Sequence, residues 1–207
     1  DKEKNKQKWK QKSDKYRLRV PVSQKIGLSL NLVFYVAILP FLATLDPQPL
    51  TKIVLDVFLI LMIYDFFYYL THRFVFHGQG YFRKVHAVHH QARSRVSSID
   101  SFLLHPAEIF IGIALFYVVT SLLCLISGGP FHVATMVITS VIYTQLNQIN
   151  HCRIDLKGFP WNTLNWIALK HDAHHQDMHK GNYATITLLF DKLFGTLETH
   201  PLEKNTS

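Results

Sequence analysis

Four apolar blocks, at about residues 26–45, 53–71, 108–126 and 132–150, dominate this 207-residue chain. Each is close to the length at which an α-helix crosses the ~30 Å hydrocarbon core of a bilayer. A soluble domain of this size rarely needs four such blocks. Asp46-Pro47-Gln48-Pro49 breaks the chain between the first two, and Ser127-Gly128-Gly129-Pro130 between the last two. Both are turn signals. Turns this short make each pair of blocks an antiparallel hairpin. The expected fold is therefore an all-α integral membrane protein, with four transmembrane helices in two hairpins.

Charge sets the orientation. The net charge is +8, and ten of the Lys and Arg residues lie between Lys2 and Lys25, just before the first block. Residues 1–25 read as a basic cytosolic segment on an anionic leaflet, and 26–207 as a single membrane domain. No aromatic-interleaved basic groove accompanies them, so no nucleic-acid partner is expected. The polar start does not read as a cleavable signal peptide. The long connection carries Arg73, Arg83, Lys84, Arg93 and Arg95, and the tail Arg153, Lys157 and Lys170, whereas the two short turns hold only Lys52. By the positive-inside rule both termini and the long connection are cytosolic. Trp161 to Lys170 reads as a helix lying in the interface. Cys124 and Cys152 read as free thiols.

The histidines sort onto that map. Of thirteen, eleven fall on the cytosolic side: His72, His77, His86, His89, His90, His105, His151, His171, His174, His175 and His179. His132 maps to the opposite face, and His200 to the distal tail. In His86-x2-His89-His90 and His171-x2-His174-His175, spacings of three and four place three imidazoles on one face of a helix. His72 and His77 are five apart, and need a helix end or a distortion to converge. Asn147 and His151 are four apart. So many imidazoles at one face, without a metal, would repel one another when protonated. Eight or nine imidazoles are too many for one ion, so a metal pair is implied. Imidazole suits zinc, iron, copper and nickel alike. Asp65, Asp100, Glu108 and Asp172 are candidates to accept the free ring N–H groups and balance the charge.

With those residues in place, the chain resembles the fatty acid hydroxylase and sterol desaturase superfamily over roughly residues 64–198. The resemblance rests on Asp65-x3-Tyr69-x2-His72-Arg73-x3-His77, Lys84-Val85-His86-x2-His89-His90, His105-Pro106-x-Glu108, Asn147-x3-His151, His171-x2-His174-His175, Asn182-Tyr183, and Phe190-Asp191-Lys192-Leu193-Phe194-Gly195-Thr196. It implies a cytosolic histidine-rich helical cap over the four membrane helices. It also implies a di-iron enzyme that uses O₂ to hydroxylate or desaturate a C–H bond of a lipid, such as a sterol or a fatty acyl chain. The iron ligands and catalytic residues it implies are His72, His77, His86, His89, His90, His151, His171, His174 and His175. Some relatives have His where this chain has Asn147. Asn147, His105 and His179 stand as possible ligands or as contacts around the metals. Zinc is expected to substitute for iron in a purified sample.

No haem, flavin or ferredoxin motif is visible, so the electrons are expected from an external donor: a ferredoxin, a b-type cytochrome or a reductase. The small size leans towards a bacterial inner membrane rather than the endoplasmic reticulum. Two other classes compete: a metal transporter or sensor, and a zinc-stabilised scaffold without catalysis. Transporters place ionisable ligands near the bilayer midplane. Here they gather at one face.

Overall fold

The computed structural model describes residues 13–93, 96–152, 157–201 and 203, together with positions 3, 6, 7 and 10. Arg95, Arg153 and most of the Lys-rich start lie outside the described residues. The long helices are α1 (Asp14–Ala37), α3 (Leu50–Leu70), α5 (Pro106–Ile126), α6 (Val133–Ile149) and α7 (Trp161–Gln176). Short helices α2 (Leu39–Leu42), α4 (Tyr81–His86) and α8 (Leu189–Leu193) join them. The described residues are mostly helical.

α1 begins well before the first apolar block. Ser13 Oγ accepts the Tyr16 N–H and Asp14 sits in the first turn, a helix start that hydropathy alone does not reveal. Tyr16 and Val20 then pack on Val96 and Leu103, so the polar end of α1 belongs to the histidine-bearing end of the molecule. Tyr16 Oη also donates to the buried Asp100 carboxylate.

α3 packs against both α5 and α6, and α1 against α5. Their shared core runs through Ile60, Tyr64, Ile113, Phe116 and Met136. At one end, the turns of the two hairpins meet in a two-residue parallel pairing: Ala43 beside Phe131 and Thr44 beside His132. All the clustered histidines lie at the other end. Seventeen residues of α6 separate His132 from that end, about 25 Å at helical rise.

Among the described residues, two helices are long and apolar enough to cross a membrane: Leu50–Phe76, counting the turn that continues α3, and Pro106–Ile126. α6 is shorter, and the basic, amphipathic start of α1 lowers its hydropathy.

Candidate metal centre

The continuation of α3, Thr71–Phe76, is a π-helix closed by the His77 N–H on the His72 carbonyl at 3.0 Å. In an α-helix, residues five apart point about 140° away from each other. The wider turn, with its i→i+5 bond, brings them over one another. It resolves the awkward spacing of His72 and His77. Gly78 ends the turn, where a Cβ would stand 2.1 Å from the Phe74 carbonyl oxygen.

The expected single helix through His86, His89 and His90 does not form. α4 stops at His86, and a 3₁₀ turn follows over His89–Gln91. The three rings are divided between two centres, His86 and His90 to one and His89 to the other. His171, His174 and His175 do share one face of α7.

Nine histidines converge in two groups. The first comprises His72, His77, His86, His90 and His174, and the second His89, His151, His171 and His175. Within each, the potential ligand atoms lie within 4.8 Å of one another. Neither group comes from one sequence motif: α7 and the 86–90 segment contribute to both. The Nε2 atoms point inward. His72 and His86 are 3.0 Å apart, His86 and His90 3.0 Å, and His72 and His174 3.2 Å. In the second group His89 and His151 are 3.2 Å apart, His151 and His171 3.1 Å, and His171 and His175 3.1 Å.

The outer nitrogens settle what those inward atoms are. Nδ1 meets a backbone carbonyl in His72 (Tyr183, 2.6 Å), His77 (Met178, 2.8 Å), His89 (Leu103, 3.2 Å), His151 (Asn147, 2.8 Å) and His174 (Gly181, 2.8 Å). A carbonyl only accepts, so each Nδ1 carries the proton. In the neutral ring Nε2 is then a bare lone pair. His72 faces His174, and His89 faces His151, lone pair to lone pair at 3.2 Å. No hydrogen bond can join such a pair, and a cation between them satisfies both. Burial also works against protonation of His89 and His174. It lowers the pKa of His77 to about 4 and those of His89 and His174 to about 3. His86, His90, His171 and His175 are pushed down by burial first, then by neighbouring histidines. The donor set fits two metal ions.

Of the four candidate carboxylates, Glu108 alone meets a ring of these groups, His86 Nδ1 at 2.7 Å. Asp65 instead accepts the N–H groups of Thr185, Ile186 and Thr187 and the Thr187 hydroxyl, at 2.8–3.0 Å. Asp100 caps Ser97 and takes the Tyr16 hydroxyl. Asp172 faces His200 and Gln176. Backbone carbonyls do most of the work assigned to carboxylates.

Asn147 is outside both groups. Its amide donates to the Tyr143 carbonyl and accepts from the Thr185 hydroxyl. His105 caps α5 through the Ala107 N–H, and His179 is exposed.

A cavity of about 450 Å³ ends on this centre. His72, His89, His151 and His171 form its inner end, and Gly27, Tyr68, Ile109, Gly112 and Tyr143 line its apolar length between α1 and the other helices. The cavity glycines lie in no motif, and although Tyr183 and Asn147 do, it is their main-chain carbonyls that meet the rings, which residue identity does not reveal.

Nine inward-facing imidazoles at one end of an apolar helical bundle define a histidine-motif protein of the membrane. Residues 57–196 match the fatty acid hydroxylase family, and the chain belongs to it. It is 31% identical over 143 residues to methylsterol monooxygenase 2-2 of Arabidopsis thaliana, covering 65% of this chain and 49% of that protein. It is 32% identical over 154 residues to very-long-chain aldehyde decarbonylase GL1-11 of Oryza sativa subsp. japonica, covering 70% and 53%. A cholesterol 25-hydroxylase-like protein of Danio rerio is 29% identical over 153 residues, covering 70% of this chain and 57% of that protein. The chain thus spans about half the length of these relatives. No solved structure matches.

Proposed function

We propose that the chain is an O₂-dependent oxidoreductase that hydroxylates or desaturates a C–H bond of a lipid, with one iron ion in each histidine group. The observation that carries this reading is the cavity: its inner end is made by rings of both groups, so a C–H bond held there lies beside both metal positions. When bound, the iron pair supplies the O₂ chemistry. The chain's residues bind and orient the lipid along Ile109, Gly112 and Tyr143, and exclude water with the same apolar walls. Carbonyl partners and Glu108 hold the ring protons of six of the nine histidines outward, which keeps the inward nitrogens of those six free to ligate. The names of the relatives, sterol monooxygenases and an aldehyde decarbonylase among them, support a sterol or long-chain substrate. Electrons come from an external donor protein.

Four membrane spans in two hairpins are part of the proposal, with the histidines and both termini on the cytosolic side. Large apolar side chains face outward on all four helices, including Leu28, Phe58, Phe110 and Val137. The test is the metal content of detergent-purified protein grown on iron-57, with Mössbauer spectra and O₂ consumption across a lipid panel. About two coupled irons per chain and lipid-dependent O₂ uptake support the proposal. Zinc alone, with no O₂ uptake after iron reconstitution, returns the chain to a scaffold or transport role.

A further inference from the structure

The two halves of the second histidine group are held differently. His89 and His151 are fixed through Nδ1 to the Leu103 and Asn147 carbonyls. The Nδ1 atoms of His171 and His175 are buried with no hydrogen-bond partner among the described residues. Among the described residues no outer hydrogen bond at Nδ1 sets the direction of these two, so they take it from α7.

Asn182 Nδ2 donates to the Lys170 carbonyl of α7 at 2.9 Å, and the segment after the family-matched region, which ends at residue 196, makes further ties to the helix. His200 Nε2 lies 3.0 Å from Asp172 Oδ2, and Gln176 Nε2 donates to the same oxygen at 3.1 Å. The Val96 N–H donates to Asp172 Oδ1 at 3.2 Å. Glu203 Oε2 accepts from the Lys170 ammonium and from the His200 N–H, both at 2.7 Å. Asp172, His200 and Lys170 are all buried, at 0%, 2% and 3% exposure. These three are shielded from water, where hydrogen bonds are strong and the loss of one partner is costly, whereas Gln176 and Glu203 lie nearer the surface.

Its position on the helix gives the cluster a purpose. At about 100° per residue, His171, His174 and His175 span roughly 100° of the α7 circumference. By the same count Lys170 lies about 40° beyond one edge of that face, and Asp172 about 60° beyond the other. The segment therefore grips both flanks of the histidine face.

We infer that His200 and Glu203 form a clasp, positioning residues that set the rotation of α7 and thereby aim His171 and His175 at the second metal position. The inference rests on the metal-binding proposal above. The first group depends on it less. It draws only His174 from α7, and that ring is held by the Gly181 carbonyl.

The experiment compares wild-type protein with His200→Ala, His200→Gln and Glu203→Gln, each loaded with iron-57 in detergent. The readouts are iron per chain, the rate of release to a chelator, and the Mössbauer spectrum. His200→Ala is expected to keep one iron and to release the other at least about tenfold faster, with loss of one of two spectral components. His200→Gln is expected to restore retention, because its amide donates to Asp172. Glu203→Gln, at the more exposed end of the clasp, is expected to fall between, and it carries the test if His200→Ala does not fold. Both irons held at the wild-type rate in His200→Ala, or in Glu203→Gln standing in for it, would overturn the clasp. So would equal loss of both irons with a lowered melting point of the metal-free protein. Wild-type protein that binds no metal would instead overturn the metal-binding proposal.

Discussion

Asp65→Asn is the sharpest probe of how the membrane helices hold the centre. Asp65 is fully buried and accepts four hydrogen bonds, from three consecutive backbone N–H groups and one hydroxyl. They pin residues 185–187, just beyond the Gly181 and Tyr183 carbonyls that hold His174 and His72. An asparagine keeps its one oxygen for the Thr185 and Ile186 N–H groups. Its NH₂ then faces the Thr187 N–H, donor against donor, so at least that charge-assisted bond is lost and a buried amide is left unpaired. A hydrogen bond to a charged group contributes ~1.5–3 kcal/mol, and an unpaired buried donor costs ~1–3 kcal/mol more. The sum is about 2.5 kcal/mol at the least. For a chain of this size that lowers the melting midpoint by about 5–10 °C. The assay is thermal unfolding in detergent with metal release followed in parallel, and loss from the first group is expected to lead. A variant melting within about 2 °C of wild type, with unchanged metal, would refute the reasoning.

Further outcomes follow from the same geometry. His132→Ala removes a side chain that caps α6 through the Ala134 N–H, far from the histidine groups. It is expected to cost about 1 kcal/mol and leave metal content unchanged, and metal loss would overturn its distal placement. Without metal, stability should depend on pH in one direction. His77, His89 and His174 titrate near 4, 3 and 3 in the folded chain against 6.5 when free, so between those values the unfolded chain binds more protons. Melting points of metal-free protein should be flat above pH 7 and fall below 6.5, by about 2 kcal/mol for each of the three at pH 5. A flat profile to pH 5 would contradict this. At Gly112 a Cβ would meet the Tyr143 hydroxyl at 3.8 Å, so Gly112→Ala fits and Gly112→Leu fills the cavity. The leucine variant is expected to lose about tenfold or more in kcat/KM for the bulkiest substrates with iron content unchanged, and equal kinetics would remove Gly112 from the cavity wall.

The apolar blocks made the helices legible, and the clustered histidines made the metal-binding end legible. The five-residue step from His72 to His77 even announced a distortion, which the π-helix supplies. Three things were hidden. α1 starts at Asp14 because a serine cap and two buried apolar residues outweigh a basic composition. The assignment of rings to groups depends on how separate segments converge in space, which spacing along the chain could not show. The partners of the outer nitrogens are chiefly main-chain carbonyls, and these carry no residue identity to read. Asp65 looked like a partner for a ring because it shares a helix face with His72. Its oxygens are taken by backbone from 120 residues further on.

The short parallel pairing of Ala43 and Thr44 with Phe131 and His132 bears on how a lipid gets in. It fastens the two hairpins at the end remote from the histidines, in the manner of the pivot of a pair of tongs. One seam between helices joined there runs between α1 and α5, where Gly27 lies close against Ile109. As a hypothesis, traffic into the cavity uses that seam. A cross-link between positions 27 and 109 should slow turnover, whereas one between 43 and 131 should not. The reverse pattern would place the pivot elsewhere.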